Sequence, residues 1–261
     1  MEITLNEILR RVTDSTAASI TNNAPTRQRF CFPIDTDTAA SLLSTAYLVE
    51  VEARKRQLQA STELSHQIAA VAKWLTTPTL KPSLLLYGGQ PGTGKTTTVK
   101  AVIRMAKQLQ NSFGPAGIDR QQQQLKRCLT PAERREFESR ESAIIVPKYY
   151  TALELTQIAR EDRQRFNSIT ESRFIAVDDM GTEPIRVNEY GNEILPLVEV
   201  ISRRYDKQLP TIITTNLNLK TLCCIVDNSG NSREMYGARI VDRLREMCET
   251  IAYNSGVSYR V

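Results

Sequence analysis

The run Gly89-Gln90-Pro91-Gly92-Thr93-Gly94-Lys95-Thr96 restricts what this chain can fold into more than any other part of it. It fits the pattern G-x-x-x-x-G-K-[ST] without a gap. Closely spaced glycines allow backbone angles that turn successive N–H groups inward, forming a concave nest for phosphate oxygens. A helix that follows adds its unpaired N-terminal N–H groups and its dipole to the same anion. The flanks agree with this reading. Residues 83–87 (Ser-Leu-Leu-Leu-Tyr) are an apolar run suited to a buried strand, and residues 96–110 place Val99, Val102, Ile103, Ala106 and Leu109 on one helical face. Lys95 would bring a point charge to the β- and γ-phosphates, and the Thr96 hydroxyl is suited to Mg²⁺. Gly89 through Thr96, with Thr97 beside them, are the candidate nucleotide-binding residues, and ATP and Mg²⁺ are the implied cofactors.

A nucleoside triphosphate site needs a further acid that faces the metal. Arg173-Phe174-Ile175-Ala176-Val177-Asp178-Asp179 offers one, since a buried strand there ends in two carboxylates. In an open α/β sheet that strand end shares an edge with the phosphate loop. Asp178 is the candidate for Mg²⁺ and Asp179 for orienting or activating the attacking water. Two adjacent ionised acids repel and need a cation nearby to stay charged.

From Lys81 onward, short apolar runs alternate with helical patterns, which predicts parallel strands joined by helical crossovers. Strands are expected at 83–87, 143–146, 174–177 and 211–214, with a helix at about 194–205. Thr151-Ala152-Leu153-Glu154 is a capping box that opens another helix. Residues 111–142 interrupt the rhythm as an insertion. It holds the run Gln121 to Gln124 and a second capping box at Thr130-Pro131-Ala132-Glu133, and reads as a solvated arm with one short helix. The first 78 residues read as a small helical region. It has a short helix at 4–12, a loop at 21–33, a long helix from Asp37, and another through Leu64, Ile68, Val71, Ala72 and Leu75 that ends at Thr77-Pro78.

Composition narrows the class. In 261 residues, Lys and Arg number 34 against 29 Asp and Glu, for a net charge of +5. Residues 1–80 hold eight of each sign, so the whole excess lies in 81–261, a modest surplus compatible with a polyanionic partner. Arg160, Arg163, Arg165, Arg203, Arg204 and Lys207 are candidates to face a nucleic-acid backbone, although such residues more often form solvated helix faces. No window approaches the ~20 apolar residues of a membrane span, and no basic-then-apolar leader opens the chain, so a cytoplasmic location is expected. Five cysteines with no C-x-x-C pair, and one histidine (His66), argue against zinc and for free thiols.

Taken in order, several blocks resemble the AAA+ ATPases, specifically the DnaC/IstB group of helicase loaders and transposition helpers. They are the phosphate loop, Val177-Asp178-Asp179-Met180-Gly181, Leu209-Pro210-Thr211-Ile212-Ile213-Thr214-Thr215-Asn216-Leu217 after Arg204-Tyr205, and Tyr236-Gly237-Ala238-Arg239-Ile240-Val241-Asp242-Arg243-Leu244 ahead of Ser258-Tyr259-Arg260. The resemblance covers roughly 81–260. It implies an AAA+ parallel sheet flanked by helices (79–261), a small N-terminal helical region (1–78) that binds a partner, and no full lid domain, since about 45 residues follow Asn216. It implies Asn216 as sensor 1, Arg243 as an arginine finger that reaches a neighbouring subunit, with Arg239 and Arg245 as alternatives, and Arg260 at the sensor 2 position. The implied function is an ATP-hydrolysing assembly protein that loads or remodels a replicative helicase on DNA, with single-stranded DNA and a helicase or transposase as partners and a homo-oligomer in the ATP state. A transposition helper, a nucleotide switch with negligible turnover and a small-molecule kinase are the alternatives. Asp179, where many AAA+ proteins carry Glu, keeps the switch open.

Overall fold

The computed structural model describes residues 29–58, 61–184, 187–189, 192–226 and 232–253. The helix expected at 4–12 and Arg260 lie outside them. Five parallel strands build the central sheet: β1 (Ser83–Tyr87), β2 (Lys148–Thr151), β3 (Ile175–Asp178), β4 (Thr211–Thr214) and β5 (Cys248–Ala252), side by side in the order β2-β3-β4-β1-β5. Register is set by pairs such as Leu84 with Ile212, Leu85 with Thr250, and Ala176 with Ile212. Two short antiparallel ladders, Val187–Glu189 with Asn192–Ile194 and Cys224–Val226 with Ser232–Glu234, stand apart from it.

Central strands of a parallel sheet are covered on both faces, so they read as unbroken apolar runs. β1 shows why. Leu84 and Leu86 point to one side and pack with Phe174, Ala176 and Ile212. Leu85 points to the other with Ile175, Val177 and Ile213. The first face is covered by α1 (Thr36–Glu52), α2 (Thr62–Thr76) and α3 (Lys95–Phe113), through Leu43, Tyr47, Val71, Leu75, Val99 and Val102. Each such side chain contributes about 1.5–3 kcal/mol of burial. α1 starts where the Asp35 carboxylate accepts from Thr38 N–H at 2.8 Å, and α2 where Ser61 Oγ accepts from Leu64 N–H at 3.1 Å. Both helices share one buried cluster with the sheet, so residue 78 marks a change of element type and not a gap in packing.

After the phosphate-loop helix come α4 (Pro115–Leu125), α5 (Pro131–Ala143), α6 (Ala152–Glu161), α7 (Arg163–Thr170), α8 (Pro196–Asp206), the short α9 (Leu219–Cys223) and α10 (Ala238–Met247). Residues of α6, α7, α8 and α10 cover the second face of the sheet.

Four expectations are corrected here. The insertion 111–142 holds two helices, not one, because Pro115 at a helix start lets α4 form through the Gln run. Both capping boxes are present as read. The strand expected at 143–146 lies at Lys148–Thr151. Ile144, Ile145 and Val146 pack into the core as a lead-in, and pairing begins where Lys148 N–H donates to Phe174 O at 3.1 Å. The strand expected at 174–177 is shifted by one residue, to 175–178. β5 was not expected at all. It is an edge strand of mixed polarity, Cys-Glu-Thr-Ile-Ala, and an edge strand has only one neighbour to demand apolar residues.

Candidate active site

The phosphate loop joins β1 to α3 at the C-terminal edge of the sheet. α3 has Gly94 as its N-cap, at φ 96°, with no side chain capping it, so its first N–H groups face the cleft. A Cβ at Gly94 would lie 2.3 Å from Tyr47 Oη, and one at Gly89 (φ 70°) only 1.8 Å from the Tyr253 carbonyl oxygen. Glycine is required at both for conformation and for close approach.

Lys95 is buried, and its ammonium donates to Gly88 O at 2.6 Å and to Thr93 Oγ1 at 3.0 Å. Burial lowers its pKa below the ordinary lysine value, while Asp179 and Asp178 act in the other direction. An anion entering the loop would relieve that cost. Asp178, 1% exposed, ends β3. Its Oδ1 accepts from Thr96 Oγ1 at 3.1 Å and from Thr214 Oγ1 at 2.5 Å, and its Oδ2 accepts from Tyr149 Oη at 2.6 Å. Desolvation first, then the bond to Asp178, pushes the Tyr149 phenol pKa well above its usual value, so it donates at any physiological pH. Asp179 has φ 58°, a left-handed conformation that Asp tolerates better than most residues, and its N–H donates to Thr214 Oγ1 at 2.9 Å. The same Thr214 hydroxyl therefore ties both acids to β4.

A cleft of about 140 Å³ opens over the loop. Pro91, Gly92, Thr93, Gly94, Lys95, Thr96 and Thr97 line it with Asp179 and Asn216. Gly89 and Gln90 stand at the loop's start and are not part of this wall. Hydroxyl and carboxylate oxygens at Thr96 and Asp178 are the donor type a hard divalent cation takes, so the residues present fit Mg²⁺. The sequence reading missed Tyr47, Val51, Arg54 and Arg56, which close the cleft from α1 and the turn after it. Arg54 Nη1 donates to Thr97 Oγ1 at 3.0 Å. The triad Arg54-Lys55-Arg56 at the end of a helical pattern was the one available signal. Tyr149 and Thr214 were missed as well, and nothing in the sequence distinguishes Tyr149 from Tyr150.

The arginines divide. Arg243 lies outside the cleft wall. Its guanidinium stacks 5.1 Å from the Tyr205 ring centroid and comes within 3.7 Å of Asp206 Oδ1, both on α8 of its own chain. Arg239 is exposed in the first turn of α10, and Arg245 pairs with Asp242 at 3.0 Å. Of the six candidate nucleic-acid contacts, Arg163 and Arg203 both bind Glu199, at 2.6 and 2.5 Å, and Lys207 binds Glu171 at 2.6 Å. Arg204 is fully buried. Arg160, Arg165 and Lys207 of the set are exposed. The solvated-face reading thus fails for Arg204; Arg163 pairs from α7 to α8, Arg203 pairs within α8, and Lys207 forms an exposed ion pair.

No protein-family model matches the chain, and no curated protein matches it. Among solved structures, the chain is similar to DnaI (17% identity, TM-score 0.45, covering 78% of this chain and 87% of that one). It is also similar to the DnaC helicase loader (17%, 0.45, 75% and 93%) and to AMPPCP-bound DnaA from Aquifex aeolicus (12%, 0.40, 75% and 48%). The chain's own architecture is an α/β fold, a parallel sheet with the glycine-rich loop between β1 and α3.

Proposed function

We propose that this chain binds ATP with Mg²⁺ in the cleft at 89–97, hydrolyses it, and uses the cycle to load or remodel a replicative helicase on DNA. One observation carries the nucleotide part. Thr96 and Asp178, from separate elements, meet at 3.1 Å beside the buried Lys95 at the mouth of an uncapped helix. A surface turn has no use for a desolvated ammonium next to a desolvated carboxylate, and burying such charges is costly unless they are matched.

Thr96 and Asp178 would hold the metal. When bound, the ion neutralises charge on the phosphates. The loop amides and the Lys95 ammonium bind and orient the phosphate tail. Asp179 accepts a proton from, or orients, the attacking water, and Asn216, two residues past the end of β4, holds that water in line. The trans arginine is Arg243, or Arg239 on the exposed first turn of α10, offered to a neighbouring copy in an ATP-state oligomer. Arg260 takes the sensor 2 role. The helicase client, the partner role of the N-terminal region and action on single-stranded DNA come from the motif resemblance to loaders. A transposase client fits the same motifs. A nucleotide switch with negligible turnover is favoured by one feature, the short Asp179 carboxylate on a backbone pinned to Thr214.

The decisive variant is Lys95→Ala. Removing the loop's only ammonium should lower ATP affinity by roughly a hundredfold or more, read with a fluorescent nucleotide. Unchanged affinity would remove the premise. Phosphate release with and without single-stranded DNA separates the hydrolase from the switch.

A further inference from the structure

The Asp178 carboxylate carries two hydrogen bonds that the phosphate-loop pattern does not call for, from Thr214 and from Tyr149. Among the described residues, Oδ1 accepts from two hydroxyls, Thr96 at 3.1 Å and Thr214 at 2.5 Å, and Oδ2 accepts from the phenol of Tyr149 at 2.6 Å. Tyr149 stands on the edge strand β2, in register with Ala176, and Thr151 stands opposite Asp178 itself. Its ring is half-buried against the core, and the Lys100 ammonium lies 5.6 Å from its centroid. We propose that Tyr149 is a positioning residue for the metal-holding acid: its hydroxyl anchors Oδ2 of Asp178 and so keeps Oδ1 turned toward Thr96.

A carboxylate swings about its Cβ–Cγ bond unless both ends are held. Thr96 cannot be a permanent anchor, because its hydroxyl must turn to the metal when nucleotide arrives. Thr214 then holds Oδ1 alone, and Tyr149 is the donor that fixes the other end. A phenol suits this task. Its ring is rigid, so little rotamer freedom is lost in placing the O–H. Groups that orient a metal-binding carboxylate from behind affect metal affinity far more than they affect the fold.

This inference rests on the cleft being a nucleotide–Mg²⁺ site, so the experiment separates the two. Full-length protein is titrated with Mg²⁺ at a fixed concentration of fluorescent ATP analogue, and affinity is also measured in EDTA. Tyr149→Phe, which deletes one oxygen, should raise the Mg²⁺ concentration for half-maximal tightening about tenfold, with affinity in EDTA unchanged. Lys100→Ala, which takes the cation off the same ring but leaves the hydroxyl, should keep the wild-type Mg²⁺ midpoint. In an Asp178→Asn background, Tyr149→Phe should add no further shift. Equal midpoints for Tyr149→Phe and wild type would overturn the positioning role. So would an equal loss in EDTA, a matching shift in Lys100→Ala, or an additive loss on top of Asp178→Asn. If the wild-type protein itself shows no Mg²⁺-dependent tightening, the nucleotide–metal reading fails, and the inference with it.

Discussion

Two buried charges sit at opposite ends of the same pair of strands. At the C-terminal end of β3, Asp178 is held by the hydroxyls of Thr96, Thr214 and Tyr149. At the N-terminal ends of β3 and β4, Arg204 reaches in from α8 and is 0% exposed. It donates to Thr211 Oγ1 at 2.7 Å, to the carbonyls of Thr170 and Pro210 at 2.7 Å, and to that of Ser172 at 2.8 Å. No carboxylate is among these partners, and burial pushes its pKa down to about 9. The partners explain the difference in role. Main-chain carbonyls cannot rotate away, so Arg204 is a fixed strut that ties three chain segments together. A hydroxyl can turn from donor to acceptor, so the bond from Thr96 is one that Asp178 can give up.

Arg204→Met should break the strut most visibly. The aliphatic length is kept, but three carbonyls and a threonine lose their donor, at a cost of about 3 kcal/mol or more. Denaturant unfolding would read this, and a loss under about 1 kcal/mol would show that the carbonyls find other partners. Nucleotide affinity of the folded fraction should not change. Asp178→Asn should give the converse result, with little change in stability and at least a tenfold loss of Mg²⁺-dependent nucleotide binding. If it unfolds the protein instead, the two ends do not differ as argued. The smallest effect concerns an exposed charge. Glu133 is held at about 2 by Arg127 and then by the Thr130 N–H and hydroxyl. A depressed acid contributes stability above its ordinary value of 4.5, lost as pH falls through about 2. The Glu133 carboxyl NMR shift should therefore titrate near 2, with α5 fraying across that window. A midpoint near 4.5 would show that the capping box and the Arg127 pair do not hold in solution.

The central strands were legible and the edge strands were not. β1, β3 and β4 are covered on both faces, and their apolar runs were read to within a residue. β2 was placed five residues early, on an apolar lead-in that packs without pairing. β5, with one neighbour, carried too few apolar residues to be noticed. The site followed the same division. The candidate phosphate loop and the acid pair are each a contiguous run, so local spacing pointed to them. Tyr149, Thr214, Tyr47 and Arg54 enter from four other elements, and each is an ordinary residue in its own stretch. Arg203 and Arg204 are neighbours with the same side chain, yet one is in a surface ion pair and the other is the buried strut. A helix turns by 100° per residue, and only the packed sheet decides which side is inside.

The sequence by itself determined the local chemistry: a glycine-rich turn between a strand and a helix, an acid pair at a strand's end, and two capping boxes. Each of these is settled by residues within a few positions of one another, where sterics and hydrogen-bond reach leave few choices. Tertiary structure alone decided which hydroxyls surround Asp178, which arginine is buried, and that α1 and the turn after it close the cleft over the loop. Those outcomes depend on contacts between segments dozens of residues apart, and no local pattern encodes which distant side chain will occupy a given position.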